Sequence, residues 1–221
     1  MDTKKLNALT LIVKEMGLTP QEVTHYWSKT GELSHGHQSS TRPVDISSKA
    51  QLYWYYFENG AFAPTPDAHK NCIGVVGWIN DNPNAVDGDK IYIVLPKQRL
   101  CAFTSANSPV KAKDVNDGRQ NTITIIEFAK KNKMGFPAIS YCRDYMDGKA
   151  FLPSKEQALI LAKNSEGIRR ALADIGGRFS GIIWTSTEHI MNYAWAVHTE
   201  QGHADTKSQF DKFNTTAILA L

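Results

Sequence analysis

The residues best equipped for chemistry lie near the carboxyl end of the 221-residue chain. His189, Asn192, Tyr193, His198, Gln201, His203, Asp205 and Lys207 all fall between the start of WTSTEHIMNYAWAV and the end of EQGHADTKSQFDKFN. Such side chains donate and accept hydrogen bonds, and an amphipathic tyrosine adds contact area at low entropic cost. This pattern predicts a ligand-binding set suited to a glycan or a protein surface. His198, His203 and Asp205 are also residue types that bind zinc or copper. Their spacing matches no closed-site pattern, so the sequence assigns no metal. Asp81, Asn82, Asn84, Asp87 and Asp89 have the composition of a calcium loop. A turn rich in Asn and Asp is the plainer reading, because both residues bond their own backbone.

Catalytic signatures are missing from the sequence. It contains no G-x-S-x-G elbow, P-loop or dinucleotide fingerprint, and its histidines have no nucleophile beside them. Cys72, Cys101 and Cys142 are odd in number and widely spaced, which predicts free, buried thiols rather than a zinc or redox pair. No catalytic residue and no cofactor are assigned, and the chain is expected not to be an enzyme. A formal charge of +3 attracts polyanions only weakly, and no apolar run is long enough to span a bilayer.

The elements that must position these residues follow from periodicity. Leu6, Leu9, Val13 and Met16 recur at helical spacing, and Thr19, Pro20 and Glu22 form the start of a second helix with a capping box. Residues 1–43 are therefore read as a helical hairpin and polar linker, and 44–221 as the main domain. The hairpin suggests self-association or partner docking through residues 4–29. An alternative is DNA binding or assembly through a helix-turn-helix-like pair, with Gly17 and Val23 at the turn and second helix. Up to Pro43, five basic residues face four acids, too little charge for phosphate-dominated binding, so a nucleic-acid partner is not expected. Lys14 and Glu15 interrupt the first apolar stretch, so no signal peptide is read there. A cytoplasmic or virion-associated location is expected ahead of the cell surface.

From Gln51 onward, short apolar runs bounded by turn residues predict strands in QLYWYYFENGAF, CIGVVGWI, KIYIVLP, GIIWTST, NYAWAVHT and TTAILAL. Asn59-Gly60 marks a hairpin. Helices are predicted over 121–131, with an extension towards Cys142, after a Ser154–Gln157 capping box, and in SEGIRRALADIGG. In NYAWAVHT, Tyr193, Trp195 and Val197 share one strand face, and Ala194, Ala196 and His198 the other. Trp184 and Trp195 are expected in the core, with Ser186 and Glu188 holding the intervening turn.

The ordered markers YWYYFENGAF, CIGVVGWI, DGRQNT, FPAISYC, FLPSKEQ, WTSTE and YAWAV, followed by a hydrophobic closing strand, resemble the bacterial C-type-lectin-like domain typified by the C-terminal domain of the Legionella collagen-like protein. The resemblance spans roughly residues 52–221. It implies an α+β fold in which small antiparallel sheets carry two flanking helices, the closing strand lies beside the early ones, and a long irregular region faces a ligand. Two departures are visible: Phe151 stands before Leu152-Pro153 in place of an arginine, and Ala217-Ile218-Leu219 replaces a valine-arginine ending. Formylglycine-generating enzymes share this general fold, but their chemistry needs a cysteine pair near the end of the domain. This chain has no cysteine after Cys142.

Overall fold

A computed structural model describes residues 50–68, 71–80, 91–105 and 109–221. The expected amino-terminal hairpin, the boundary at residue 43 and the Asn/Asp cluster from Asp81 to Asp89 lie outside these residues.

The chain enters through β1 (Tyr55–Phe57), β2 (Phe62–Ala63), β3 (Cys72–Ile79) and β4 (Ile91–Ala102). Helices α1 (Gly118–Asn132), α2 (Pro137–Arg143), α3 (Lys155–Lys163) and α4 (Ser165–Asp174) follow. It closes with β5 (Ile182–Ile190), β6 (Tyr193–His198), β7 (His203–Ser208) and β8 (Lys212–Ala220). All eight strands join one sheet in the order β2-β1-β3-β4-β8-β5-β6-β7. Every pairing is antiparallel except that of β5 with β8, which is parallel at Ile183 and Asn214.

Local chemistry sets several of these boundaries. At the β1–β2 turn Gly60 takes a φ of 82°, its amide donates to Phe57 O at 2.9 Å, and Asn59 Oδ1 accepts from Ala61 N. Only the glycine, and not Asn59, carries the positive φ expected of the pair. Helix α1 begins earlier than periodicity indicates, because Asp117 caps it by accepting from Gln120 N. Pro137 sits in the first turn of α2, where its missing N–H costs nothing, so this segment is a separate helix and not an extension. The predicted capping box of α3 is present in both directions between Ser154 and Gln157.

Strand β4 explains the layering. Ile91, Ile93 and Leu95 enter one buried cluster with Ile125 of α1 and Ile139 of α2. Tyr92 and Val94, pointing the other way, join Leu161 of α3 with Ile168 and Leu172 of α4. The fold is therefore α+β, as expected, and among the described residues it consists of one mixed sheet with four α-helices divided between its faces. The continuous apolar run IYIVL is the sequence sign of a strand buried on both sides. The closing strand does meet an early one: β8 pairs along β4 from Tyr92 to Ala102.

Candidate functional site

The stretch from Trp184 to Val197 is almost entirely strand. Trp184 pairs with Ala196 and Glu188 with Ala194, so β5 bulges: Thr185, Ser186 and Thr187 lie between partners flanking Trp195 alone. These polar residues are buried, and so is Glu188. Thr185 Oγ1 donates to Trp195 O at 2.8 Å, and Thr187 Oγ1 donates to Asp114 O at 2.8 Å. Asn121 of α1 reaches Ser186 and Thr187 with its amide nitrogen. The Glu188 carboxylate accepts from Val110 N at 3.0 Å, Lys111 N at 2.7 Å and Gln209 Nε2 at 3.3 Å. Ser186 and Glu188 thus anchor other segments rather than their own turn, correcting the sequence expectation. Trp184 is fully buried, its indole donating to Cys101 O at 2.9 Å. Trp195, expected in the core, is only half-buried, with the Lys155 ammonium 4.6 Å from its ring centroid and His189 edge-on at 5.1 Å.

Beyond Ile190 the turn is just Met191 and Asn192, the latter with a φ of 70°. Tyr193 then pairs with Ser208 at the start of the β6–β7 ladder. Gln209 folds against this turn, donating through its backbone to Asn192 O at 2.8 Å and through Nε2 to Tyr193 O at 3.3 Å. Four large apolar side chains stand exposed here: Ile190 (57%), Met191 (61%), Tyr193 (42%) and Phe210 (44%). Beside them, the buried acceptors Asn192 Oδ1 and Gln209 Oε1 have no hydrogen-bond partner among the described residues.

The ladder ends where His198 pairs with His203. Gly202 (φ 69°) lets the chain reverse, and its amide donates to His198 O at 2.9 Å. The two imidazoles stack, with centroids 4.2 Å apart and planes 17° from parallel. Asp205 Oδ2 lies 3.2 Å from His198 Nε2, 3.7 Å from His203 Nε2 and 3.4 Å from Lys207 Nζ. The Lys207 side chain holds the Asp205 carboxyl below its ordinary range. Gln201 is exposed in the turn, and neighbouring Glu200 accepts from Gly181 N at 3.0 Å.

The predicted set is therefore divided. His189, Asn192 and Tyr193 belong to the turn end, while His198, Gln201, His203 and Asp205 belong to the hairpin end. Five residue steps separate Tyr193 from His198, about 17 Å at strand rise. The faces differ as well. Tyr193 shares the side of Trp195 and Val197, whereas His198, His203, Asp205 and Lys207 share the other. Lys207 stands opposite Ala194, but its ammonium leans towards Asp205. The exposed Met191 and Phe210 were not singled out from the sequence, although bulky apolar residues inside polar turns are a readable signal. Elsewhere a cleft of about 630 Å³ is lined by Glu58, Arg119, Arg143, Met146 and Leu219 among others, and none of the predicted residues lines it.

Comparison with known proteins shows the fold. No family model and no curated protein matches the chain. A solved structure does: a fimbrial protein from Bacteroides ovatus ATCC 8483, at a TM-score of 0.63 and 14% identity. The match covers 78% of this chain and 49% of that one, so this chain corresponds to about half the length of the fimbrial protein. No helix among the described residues is long and apolar enough to cross a membrane.

Proposed function

We propose that the chain is a non-enzymatic ligand-binding module on a C-type-lectin-like scaffold, with its binding face at the turn end of the β6–β7 ladder. One observation carries this reading: Ile190, Met191, Tyr193 and Phe210 stand exposed close in sequence to two buried acceptors, Asn192 Oδ1 and Gln209 Oε1, that have no partner among the described residues. A buried acceptor left without a donor costs about 1–3 kcal/mol, so two of them at one turn mark a place that stability alone does not explain. Apolar side chains beside such atoms supply the contact area of a recognition patch. The patch combines two non-aromatic apolar side chains, Ile190 and Met191, with two aromatic rings, Tyr193 and Phe210, a surface suited to a glycan or a protein ligand. The lectin-like assignment is supported by the ordered sequence markers and by the closing strand beside β4. The fold shared with a fimbrial protein is compatible with an adhesive role and does not identify a ligand.

The test is a binding screen of the full chain against immobilised saccharides, glycosaminoglycans and a panel of surface proteins, in parallel with a Met191→Ser/Phe210→Ser variant. A partner held by the wild type and weakened tenfold or more in the variant, about 1.4 kcal/mol, supports the assignment. Equal binding by both proteins removes the turn end as the site. Substrate turnover that depends on His189, His198 or His203 overturns the non-enzymatic reading.

A further inference from the structure

We infer that the hairpin end of the β6–β7 ladder is a transition-metal site, with His198, His203 and Asp205 as three ligands for a Zn²⁺-class ion. Antiparallel pairing places His198 and His203 directly opposite each other, and Asp205, two residues along β7, projects from the same face. Their ligand atoms all lie within 4.8 Å of one another. Ligand atoms bound tetrahedrally to zinc at about 2.0–2.1 Å stand roughly 3.3 Å apart. The carboxylate oxygen, at 3.2 Å and 3.7 Å from the two Nε2 atoms, already brackets that separation.

Ion pairing alone accounts poorly for this arrangement. His198 Nε2 is buried and makes no hydrogen bond among the described residues, although the carboxylate is 3.2 Å away. Its N–H or lone pair therefore points beside the oxygen and not at it, so no direct hydrogen bond holds this pair together. The two rings now stack with centroids 4.2 Å apart and planes 17° from parallel, so ion binding requires them to turn until both Nε2 lone pairs meet at one point. Two imidazoles and one carboxylate match the donor set of zinc or copper, whereas calcium and magnesium take oxygen ligands. His203 and Asp205 are each about half exposed, so water or an oxygen of a bound molecule can complete the coordination. The Lys207 ammonium, 3.4 Å from Asp205, competes with the ion for that carboxylate.

This site is separate from the turn-end face, so the two readings fail independently. The experiment is calorimetric titration of the full, tag-free chain with ZnCl₂, and with CaCl₂ as contrast. His35→Asn and His37→Asn are present throughout, because the H-G-H segment is itself a potential ligand pair. Saturable one-to-one Zn²⁺ binding is expected, falling on the order of a hundredfold in His203→Ala. His203 is half exposed, so its removal leaves the fold intact, and thermal unfolding with EDTA present confirms this. Lys207→Met should tighten binding, and Co²⁺ should acquire visible d–d absorption that is lost in His203→Ala. Zinc affinity unchanged by His203→Ala, or a response to calcium alone, overturns the assignment.

Discussion

The bulged half of β5 and the β6–β7 ladder beside it are both rich in polar residues, yet they spend those residues differently. From Thr185 to Glu188 the side chains are buried and bonded to α1, α3 and the segment from Val110 to Asp114. From Asn192 to Gln209 lie all three buried side-chain atoms without partners among the described residues: Asn192 Oδ1, His198 Nε2 and Gln209 Oε1. Buried polar groups are normally satisfied, so a concentration of exceptions points to recognition rather than stability. The conspicuous WTSTE motif is architecture, and the less conspicuous ladder carries the two proposed sites.

Substitutions test this contrast. Glu188→Ala should produce the largest change, because it strands the Val110 amide and the Gln209 side chain inside the protein and takes away the acceptor of the part-buried Lys111 amide. At about 1–3 kcal/mol for each unsatisfied group, chemical denaturation should show a loss of roughly 3 kcal/mol or more. Lys155→Met removes the cation from the Trp195 face and should cost about 0.5–1 kcal/mol, measured the same way. Met191→Ser/Phe210→Ser, in the ladder turns, should change stability by no more than about 0.5 kcal/mol while weakening ligand capture. A large stability loss in that variant would erase the distinction between the two regions.

The smallest effect is expected at Glu200. Its bond from Gly181 N lowers its carboxyl pKa below the ordinary 4.5. A depressed folded-state pKa contributes stability above the unfolded value and loses it as pH falls through the folded one. Wild type should therefore be slightly favoured over Glu200→Gln at neutral pH, and this difference should vanish on acidification. Solvent screens this exposed group, so the difference is best read from paired thermal melts across the acid range.

Several features were legible in the sequence because they depend on neighbours a few residues away. The Asn59-Gly60 turn, the Ser154–Gln157 box and the helix in SEGIRRALADIGG belong to this class, while the free cysteines were read from their number and wide spacing, with Cys72 only partly buried and not buried as expected. The alternation of β6 was equally readable, since it needs only the two-residue period of a strand. The count of helices and the extent of the sheet were not, because each depends on which segments meet across more than a hundred residues.

The sequence by itself determined the turns, the caps, the strand faces and the residue types available for binding, through short-range backbone chemistry and periodicity. Tertiary structure alone decided the parallel meeting of β5 with β8, the burial of Thr185 to Glu188, and the division of the predicted site into two ends. It also decided that His198 faces His203. A register slip of one residue between β6 and β7 would send one imidazole to the opposite side of the sheet, and the turn at Gly202 contributes to that register only locally. It is set by the burial of Ala194, Ala196 and Val197 against the rest of the core.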